Sequence, residues 1–110
     1  MSQPTYDYVA SPYTHESELI REERYLRVSF YVVQCLSRGD WVYSPIVHCH
    51  ELAKTWSFPK DAGFWHGYNR AMLTHAANLR VLRLDGWKES EGIKGEIKLA
   101  DHQKIRVIYV

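Results

Sequence analysis

Alternating strand and helix signals predict a single α/β domain, a three-layer sandwich whose sheet is mostly parallel, with strand order 2-1-3-4. Four apolar runs have strand character, and a helical stretch separates each run from the next. Helices supply the right-handed crossovers that parallel neighbours need, which leaves few other strand orders. A chain of 110 residues is long enough for one core and has no internal repeat, so residues 1–110 are expected to form one domain.

The first strand and the first helix have clear boundaries. Residues 6–10 are predicted as a strand that ends at Ser11-Pro12, because the residue before a proline is disfavoured in helical geometry. Thr14 or Ser17 can cap the long helix that follows, which ends before Gly39. The apolar stripe of this helix is formed by Leu19, Leu26, Phe30, Val33 and Leu36.

The second strand is followed by a segment with a weaker pattern. Residues 41–44 are predicted as the strand, which Pro45 stops. Within residues 46–60 the pattern supports a turn or two of helix around residues 51–54, which Ser57-Phe58-Pro59 breaks.

A helix from residue 61 or 62 to residue 77 leads into a third strand over residues 79–84. A final strand is predicted over residues 104–110. Arg80 and Arg83 are unusual in the third strand, since central parallel strands are normally almost all apolar. They indicate either the lateral limit of the helix layer or a subunit contact.

The junction between the third strand and the last helix carries the first candidate for chemistry. Gly92 lies in the loop that opens this helix. Backbone amides left unpaired at such a start face a bound anion, and the helix dipole favours the ionised form of a nearby carboxyl group. Glu96 is therefore predicted to be an ionised nucleophile, and Ser90 with the amides near Gly92 is predicted to form an anion site.

Candidate site residues follow three of the predicted strands. Ligands of parallel α/β sheets bind at the carboxyl ends of the strands, where the strand order reverses. This rule brings together Ser11, Pro12 and Tyr13 after the first strand, residues 44–50 after the second, and residues 85–96 after the third. At this edge Tyr13 and Trp87 offer aromatic rings for stacking on a ligand, and His48 offers a polar contact.

Three motifs resemble those of a known superfamily. The segment Ser90-x-Gly92-x-x-x-Glu96 resembles the active-site segment of the nucleoside 2-deoxyribosyltransferase superfamily and of its nucleoside 5'-monophosphate N-glycosidase branch. Tyr8-Val9-Ala10-Ser11-Pro12-Tyr13 resembles the Tyr-(apolar)-Ala-Gly-Pro-(aromatic) motif that ends the first strand there. With Val42-Tyr43-Ser44-Pro45-Ile46-x-His48 and Gly86-Trp87-x-x-Ser90-x-Gly92, the chain is more similar still to a family of small uncharacterised proteins usually attached to that superfamily.

The resemblance implies a flavodoxin-like fold and an enzyme that breaks or exchanges the N-glycosidic bond of a nucleoside or nucleoside 5'-monophosphate. It implies that Glu96 attacks the anomeric carbon and that Tyr8 hydrogen-bonds the nucleophile or the sugar. No organic cofactor or metal is required by this chemistry.

One position departs from the superfamily pattern. An Asp commonly begins the third strand there, whereas this chain has Asn78, which cannot exchange a proton. The role of that acid is then missing, or it has moved to Asp85, Glu91 or His48; Asn78 and Asp85 stay candidates for substrate binding. Two alternatives to an enzyme follow: a catalytically silent nucleotide-binding or regulatory module of the same fold, and a structural subunit in which Ser90 and Glu96 only stabilise a helix.

The amino-acid composition limits the classes of partner that the sequence predicts. Fourteen Lys and Arg against thirteen Asp and Glu, with no basic run, argue against nucleic acid. No apolar run of about 18 residues marks a membrane span. Cys35 and Cys49 are too few for a disulfide framework, which favours a reduced, cytoplasmic setting. A chain this small does not enclose a deep site alone, so a homo-oligomer is expected.

The sequence gives only a weak indication of a metal site. His48-Cys49-His50, together with His15 and His66, supplies ligand types that zinc prefers. If residues 48–50 are extended, Cys49 points away from its two neighbours, and no second pair has ligand spacing. No metal is therefore predicted.

Overall fold

A computed structural model describes residues 4–58 and 62–110. In these residues the elements are, in chain order, β1 Asp7–Ala10, α1 Glu18–Ser37, β2 Val42–Tyr43, α2 Pro45–Trp56, α3 Ala62–Thr74, β3 Asn78–Val81, α4 Glu91–His102 and β4 Arg106–Tyr109. The strands form one parallel sheet in the order β2-β1-β3-β4. The predicted fold class and strand order are confirmed.

The two central strands, β1 and β3, separate two hydrophobic layers. Tyr8 lies opposite Leu79 in the sheet register, and both pack with Leu73 of α3 and Ile93 of α4. Val9, which points to the other face, packs with Val28 and Val32 of α1. Helices therefore cover both faces of the sheet, as the three-layer prediction requires.

The apolar stripe predicted for α1 does not face the sheet. Val28, Val32 and Cys35 form the buried face of this helix. The predicted stripe is exposed instead: Leu19, Leu26, Phe30, Val33 and Leu36. Contacts of Tyr31 and Cys35 with Arg80 in the sheet, at 3.0 and 3.7 Å, fix the rotation of the helix that leaves this stripe outside.

Helix α2 is much longer than predicted. The Ser44 hydroxyl accepts a hydrogen bond from the Val47 amide at 3.2 Å, and Pro45 occupies the first turn. The last residue of the predicted strand and the proline predicted to stop it therefore start a helix. The helix ends at Ser57, whose φ of 60° is left-handed. Residues 48–50 are consequently helical, not extended. Pro59 and Asp61, which were predicted to flank a break and start a helix, lie outside the described residues.

The third strand ends at Val81, before the predicted end at residue 84, and Arg80 within it has a structural role. Its guanidinium group contacts carboxylate oxygens of Asp7 and Asp40, each at 2.7 Å. Arg80 is largely buried in this cluster. Its presence in the strand is explained by these ion pairs, without a gap in the helix layer or a contact with another subunit. Asn78 joins the same cluster by donating to Asp7 Oδ1 at 3.0 Å.

Candidate active site

A cavity of about 1220 Å³ opens at the carboxyl-terminal edge of the sheet. Its wall is formed by the loops after β1 and β3 and by parts of all the helices. A smaller cavity, of about 330 Å³, lies at the opposite edge beside Asp7, Asp40 and Arg80, whose side chains are already bonded to one another. The larger cavity is therefore the candidate active site.

Glu96 and Tyr8 meet at the wall of this cavity. Tyr8, the second residue of β1, is fully buried, and its hydroxyl donates to Glu96 Oε2 at 2.5 Å. Glu96 lies in the second turn of α4, a short distance beyond Ser90 and Gly92. The bond fixes one carboxyl oxygen and leaves the other for a ligand.

Burial sets the protonation of this pair. It raises the pKa of Glu96 to about 7, and the hydrogen bond from Tyr8 opposes that shift only in part. The expectation that the helix dipole would keep Glu96 ionised is reversed, because the dipole acts within the first turn and Glu96 lies beyond it. The pKa of Tyr8 is raised far above its ordinary value by burial and by Glu96, so the phenol remains a donor.

Ser90 and Gly92 line the cavity at the start of α4, as predicted. The Ser90 hydroxyl is the N-cap and accepts from the Ile93 amide at 3.2 Å. The amides of Glu91 and Gly92 lie in the first turn, where an α-helix supplies no acceptor, so they remain for an anion. A methyl group on Gly92 would lie 3.7 Å from Ser90 Oγ, an ordinary contact.

Ser11 and Tyr13 also line the cavity, after β1. Ser11 Oγ is buried and has no hydrogen-bond partner among the described residues. Buried hydroxyl groups are rarely left unsatisfied, so Ser11 is a candidate contact for a ligand. Arg24 holds the adjoining loop by donating to the Thr14 carbonyl at 3.0 Å. Its guanidinium group also lies against Gly86, whose φ of 90° is accessible to glycine at little cost.

A buried histidine that the sequence suggested only as a metal ligand lies behind Tyr13. His50 Nδ1 is 2.6 Å from the Tyr13 hydroxyl, and His50 Nε2 is 3.1 Å from Glu22 Oε1. The same Glu22 oxygen accepts from Lys54 at 2.9 Å, and the hydrogen bonds from Lys54 and His50 lower the pKa of Glu22. The Tyr25 ring stacks on His50 at 4.1 Å.

Five predicted site residues are not among those that line the cavity. Asn78 bonds to Asp7 in the opposite cluster, and Pro12 is buried in the protein. His48 is exposed on α2 and stacks on Tyr68 at 5.2 Å. Asp85 is exposed in a turn, and Trp87 packs beside Tyr109 with ring centroids 5.8 Å apart.

Helix α3 supplies cavity residues that sequence reasoning missed. Their spacing, at positions 65, 66, 69 and 70, places them on one side of a helix, and this was the available signal. They are Trp65, His66, Asn69 and Arg70. Cys49 of α2 is a second candidate nucleophile in the wall, but burial raises the pKa of its thiol to about 11 and keeps it protonated.

Two features are absent from the described residues, 4–58 and 62–110. No group of three or more His, Cys, Asp or Glu side chains in that part of the chain is arranged to hold a metal ion. No helix there is long and apolar enough to cross a membrane.

Comparison with known proteins yields one family. Residues 5–110 match the family described as Domain of unknown function (DUF1937). A comparison with curated proteins finds no match.

Proposed function

Because the chain belongs to the DUF1937 family, which is defined as a domain of unknown function, we propose its activity from its own site. We propose that it breaks or exchanges the N-glycosidic bond of a nucleoside or nucleoside 5'-monophosphate, with Glu96 as nucleophile. The observation that carries this proposal is the Tyr8–Glu96 hydrogen bond of 2.5 Å at the wall of the large cavity. The motif resemblance supports it.

The chemistry is that of a retaining glycosidase. The free oxygen of the Glu96 carboxylate attacks the anomeric carbon while the bond to the base nitrogen breaks, through an oxocarbenium-like transition state. Water or a second base then attacks the glycosyl ester and releases the carboxylate. Tyr8 orients the carboxylate by binding Oε2 throughout. No cofactor takes part in these steps.

The cavity wall suits a substrate of this class. The volume of about 1220 Å³ exceeds what a nucleotide-sized ligand needs. The first amides of α4 favour an anionic group such as a 5'-phosphate. Arg24 and Arg70 lie in the same wall and add positive charge. The unpaired hydroxyl of Ser11 provides a hydrogen bond for the sugar.

The second candidate is a catalytically silent nucleotide-binding module. Two observations favour it: a Glu96 pKa of about 7 leaves much of the carboxyl group protonated at neutral pH, and Asn78 brings no acid to the cavity. Both candidates predict a bound nucleotide, whereas only the enzyme predicts a released base. We also propose a cytoplasmic setting, which the two free, buried cysteines support.

The test is a panel of nucleosides and their 5'-monophosphates, scored by chromatography for free base. We expect release from at least one compound, and loss of several orders of magnitude in Glu96→Gln because the covalent route needs the carboxylate. Glu51→Gln is the matched control, since it makes the same change on the exposed side of α2 and should retain activity. Binding without release, measured by thermal shift, would select the silent module.

A further inference from the structure

Departure of a nucleobase normally requires a proton, and the Tyr8–Glu96 pair does not supply it. Glu96 acts as nucleophile in its ionised form, and the Tyr8 hydroxyl is engaged in the bond to Glu96 at 2.5 Å. Asn78 bonds to Asp7 at the opposite edge of the sheet and brings no acid to the cavity. A proton donor must therefore come from another part of the cavity wall.

A chain of hydrogen bonds runs from the cavity wall to the surface. It begins at Tyr13, which lines the cavity, and passes through His50 Nδ1 at 2.6 Å and His50 Nε2 to Glu22 at 3.1 Å. It ends at the exposed Lys54, 2.9 Å from the same Glu22 oxygen. The three elements that contribute to it are the loop after β1, helix α1 and helix α2.

We propose that Tyr13, His50 and Glu22 form the acid–base relay that protonates the leaving base, an inference that rests on the proposed N-glycosidic activity. Glu22 accepts from His50 Nε2, and its carboxylate stabilises the doubly protonated ring. The other ring nitrogen, Nδ1, then donates to Tyr13. Stacking of Tyr25 at 4.1 Å holds the ring in the plane of this chain.

The proton balance of both steps is complete. When the C–N bond breaks, its electron pair stays on the base nitrogen, which takes the Tyr13 hydroxyl proton. The Tyr13 oxygen takes the Nδ1 proton, and His50 becomes neutral with its Nε2 proton still bonded to Glu22. When water or an acceptor base attacks the glycosyl ester, its proton returns through Tyr13 to Nδ1, and the relay is restored.

The charged and titratable groups around His50 suit this role. Glu22 from α1 and Lys54 from α2 face its Nε2 side, while Tyr25 covers the ring. Tyr13 is also influenced by Arg21 and Cys49, and burial raises its pKa to about 12. A phenol with this pKa passes a proton on without holding the negative charge, so Tyr13 is the catalytic residue, and His50 and Glu22 are positioning residues.

Two substrates distinguish a relay that donates a proton from a set of residues that only stabilises the fold. An ordinary purine nucleoside needs protonation to leave, whereas an N7-methylated purine nucleoside carries a cationic base that leaves without it. We expect Tyr13→Phe and Glu22→Gln to slow release from the ordinary nucleoside by about 100-fold or more, but from the methylated one by less than about tenfold. His75→Gln makes the same kind of change at an exposed position between α3 and β3, outside the cavity wall; it is the control and should match wild type on both substrates.

The outcomes separate the two proposals. Base release by wild type with equal losses on both substrates in Tyr13→Phe, or with no loss, overturns the relay and leaves the proposed function standing. No release by wild type from any nucleoside or monophosphate overturns both. Glu22→Gln supplies the test if Tyr13→Phe does not fold.

Discussion

Glu96 differs from an ordinary surface glutamate because Tyr8 holds it in a buried position, which raises its pKa to about 7. Only the ionised carboxyl group attacks the sugar, so kcat/KM should rise about tenfold per pH unit below this pKa and level off above it. Rates measured on the best substrate from pH 5 to 9 test this. A rate that is independent of pH between 5 and 8 would remove Glu96 ionisation from the mechanism.

The same shift predicts a pH-dependent stability. A glutamate whose pKa rises from 4.5 in the unfolded chain to about 7 on folding contributes stability that is complete below pH 4.5 and lost as pH rises through 7. The loss amounts to roughly 3 kcal/mol at pH 9. Glu96→Gln carries no ionisable group and should be the more stable protein at pH 9 by about that amount. Urea denaturation of both proteins at pH 5 and pH 9 measures the difference, and equal pH dependence would contradict it.

The helices and strands show which features of the fold could be predicted from sequence signals alone. The number and order of the strands followed from apolar runs and crossovers, since few topologies satisfy both, but the third strand ends earlier than predicted. Helix α2 was underestimated because Ser44-Pro45 was taken to end a strand, although the same pair caps and starts a helix. The orientation of α1 was not available from its pattern, because the helix has two apolar faces and the contacts with Arg80 select one.

Arg80 joins β3 to β1 and to the end of α1, and its removal should destabilise the fold. Arg80→Leu leaves the Asp7 carboxylate without its cation and leaves Asp40 with only Arg38, at 3.8 Å, so we expect the free energy of unfolding to fall by about 3 kcal/mol. Arg83→Leu, two residues from β3 and exposed, is the control and should change it by less than about 0.5 kcal/mol. If both variants changed the free energy of unfolding by the same amount, the ion-pair cluster around Arg80 would not stabilise the fold as proposed.

At the scale of the whole molecule, the rule that ligands bind at the carboxyl ends of strands located the cavity. It placed Tyr8, Ser11, Tyr13 and Glu96 correctly in the cavity wall, along with the α4 start. The rule failed for residues whose side chains point away from the cavity. Trp87 turns toward β4, and Asp85 turns toward solvent. The contributions of Arg24 and helix α3 depend on how helices pack against the sheet; spacing groups the α3 residues on one side of the helix but does not say what that side faces.

The exposed stripe of α1 is a candidate surface for the homo-oligomer expected from the sequence. Leu19, Leu26 and Val33 are spaced by seven residues, and Phe30 lies between the last two, which is the spacing of a coiled-coil seam. A parallel pair would oppose Glu23 to its own copy, so we propose an antiparallel homodimer through α1.

Sedimentation equilibrium tests the dimer. We expect wild type to be dimeric at micromolar concentration and Phe30→Lys to be a folded monomer, because a lysine cannot be buried against the apolar partner surface. Thr55→Lys adds the same charge at an exposed position of α2 and should remain dimeric. A monomeric wild type would refute this assembly.

The measurement that tests the central claim most directly is the mass of the protein during turnover. A 2-deoxy-2-fluoro nucleoside slows both steps, because fluorine destabilises both oxocarbenium-like transition states. When its base is an N7-methylated purine, the cationic base leaves readily, so the first step outruns the second and the glycosyl ester accumulates. Intact mass spectrometry should then show the protein plus one fluorosugar, and peptide mapping should place the sugar on Glu96, with none on Glu96→Gln. An adduct on another residue, or base release by wild type with no adduct and an undiminished rate in Glu96→Gln, would contradict the account.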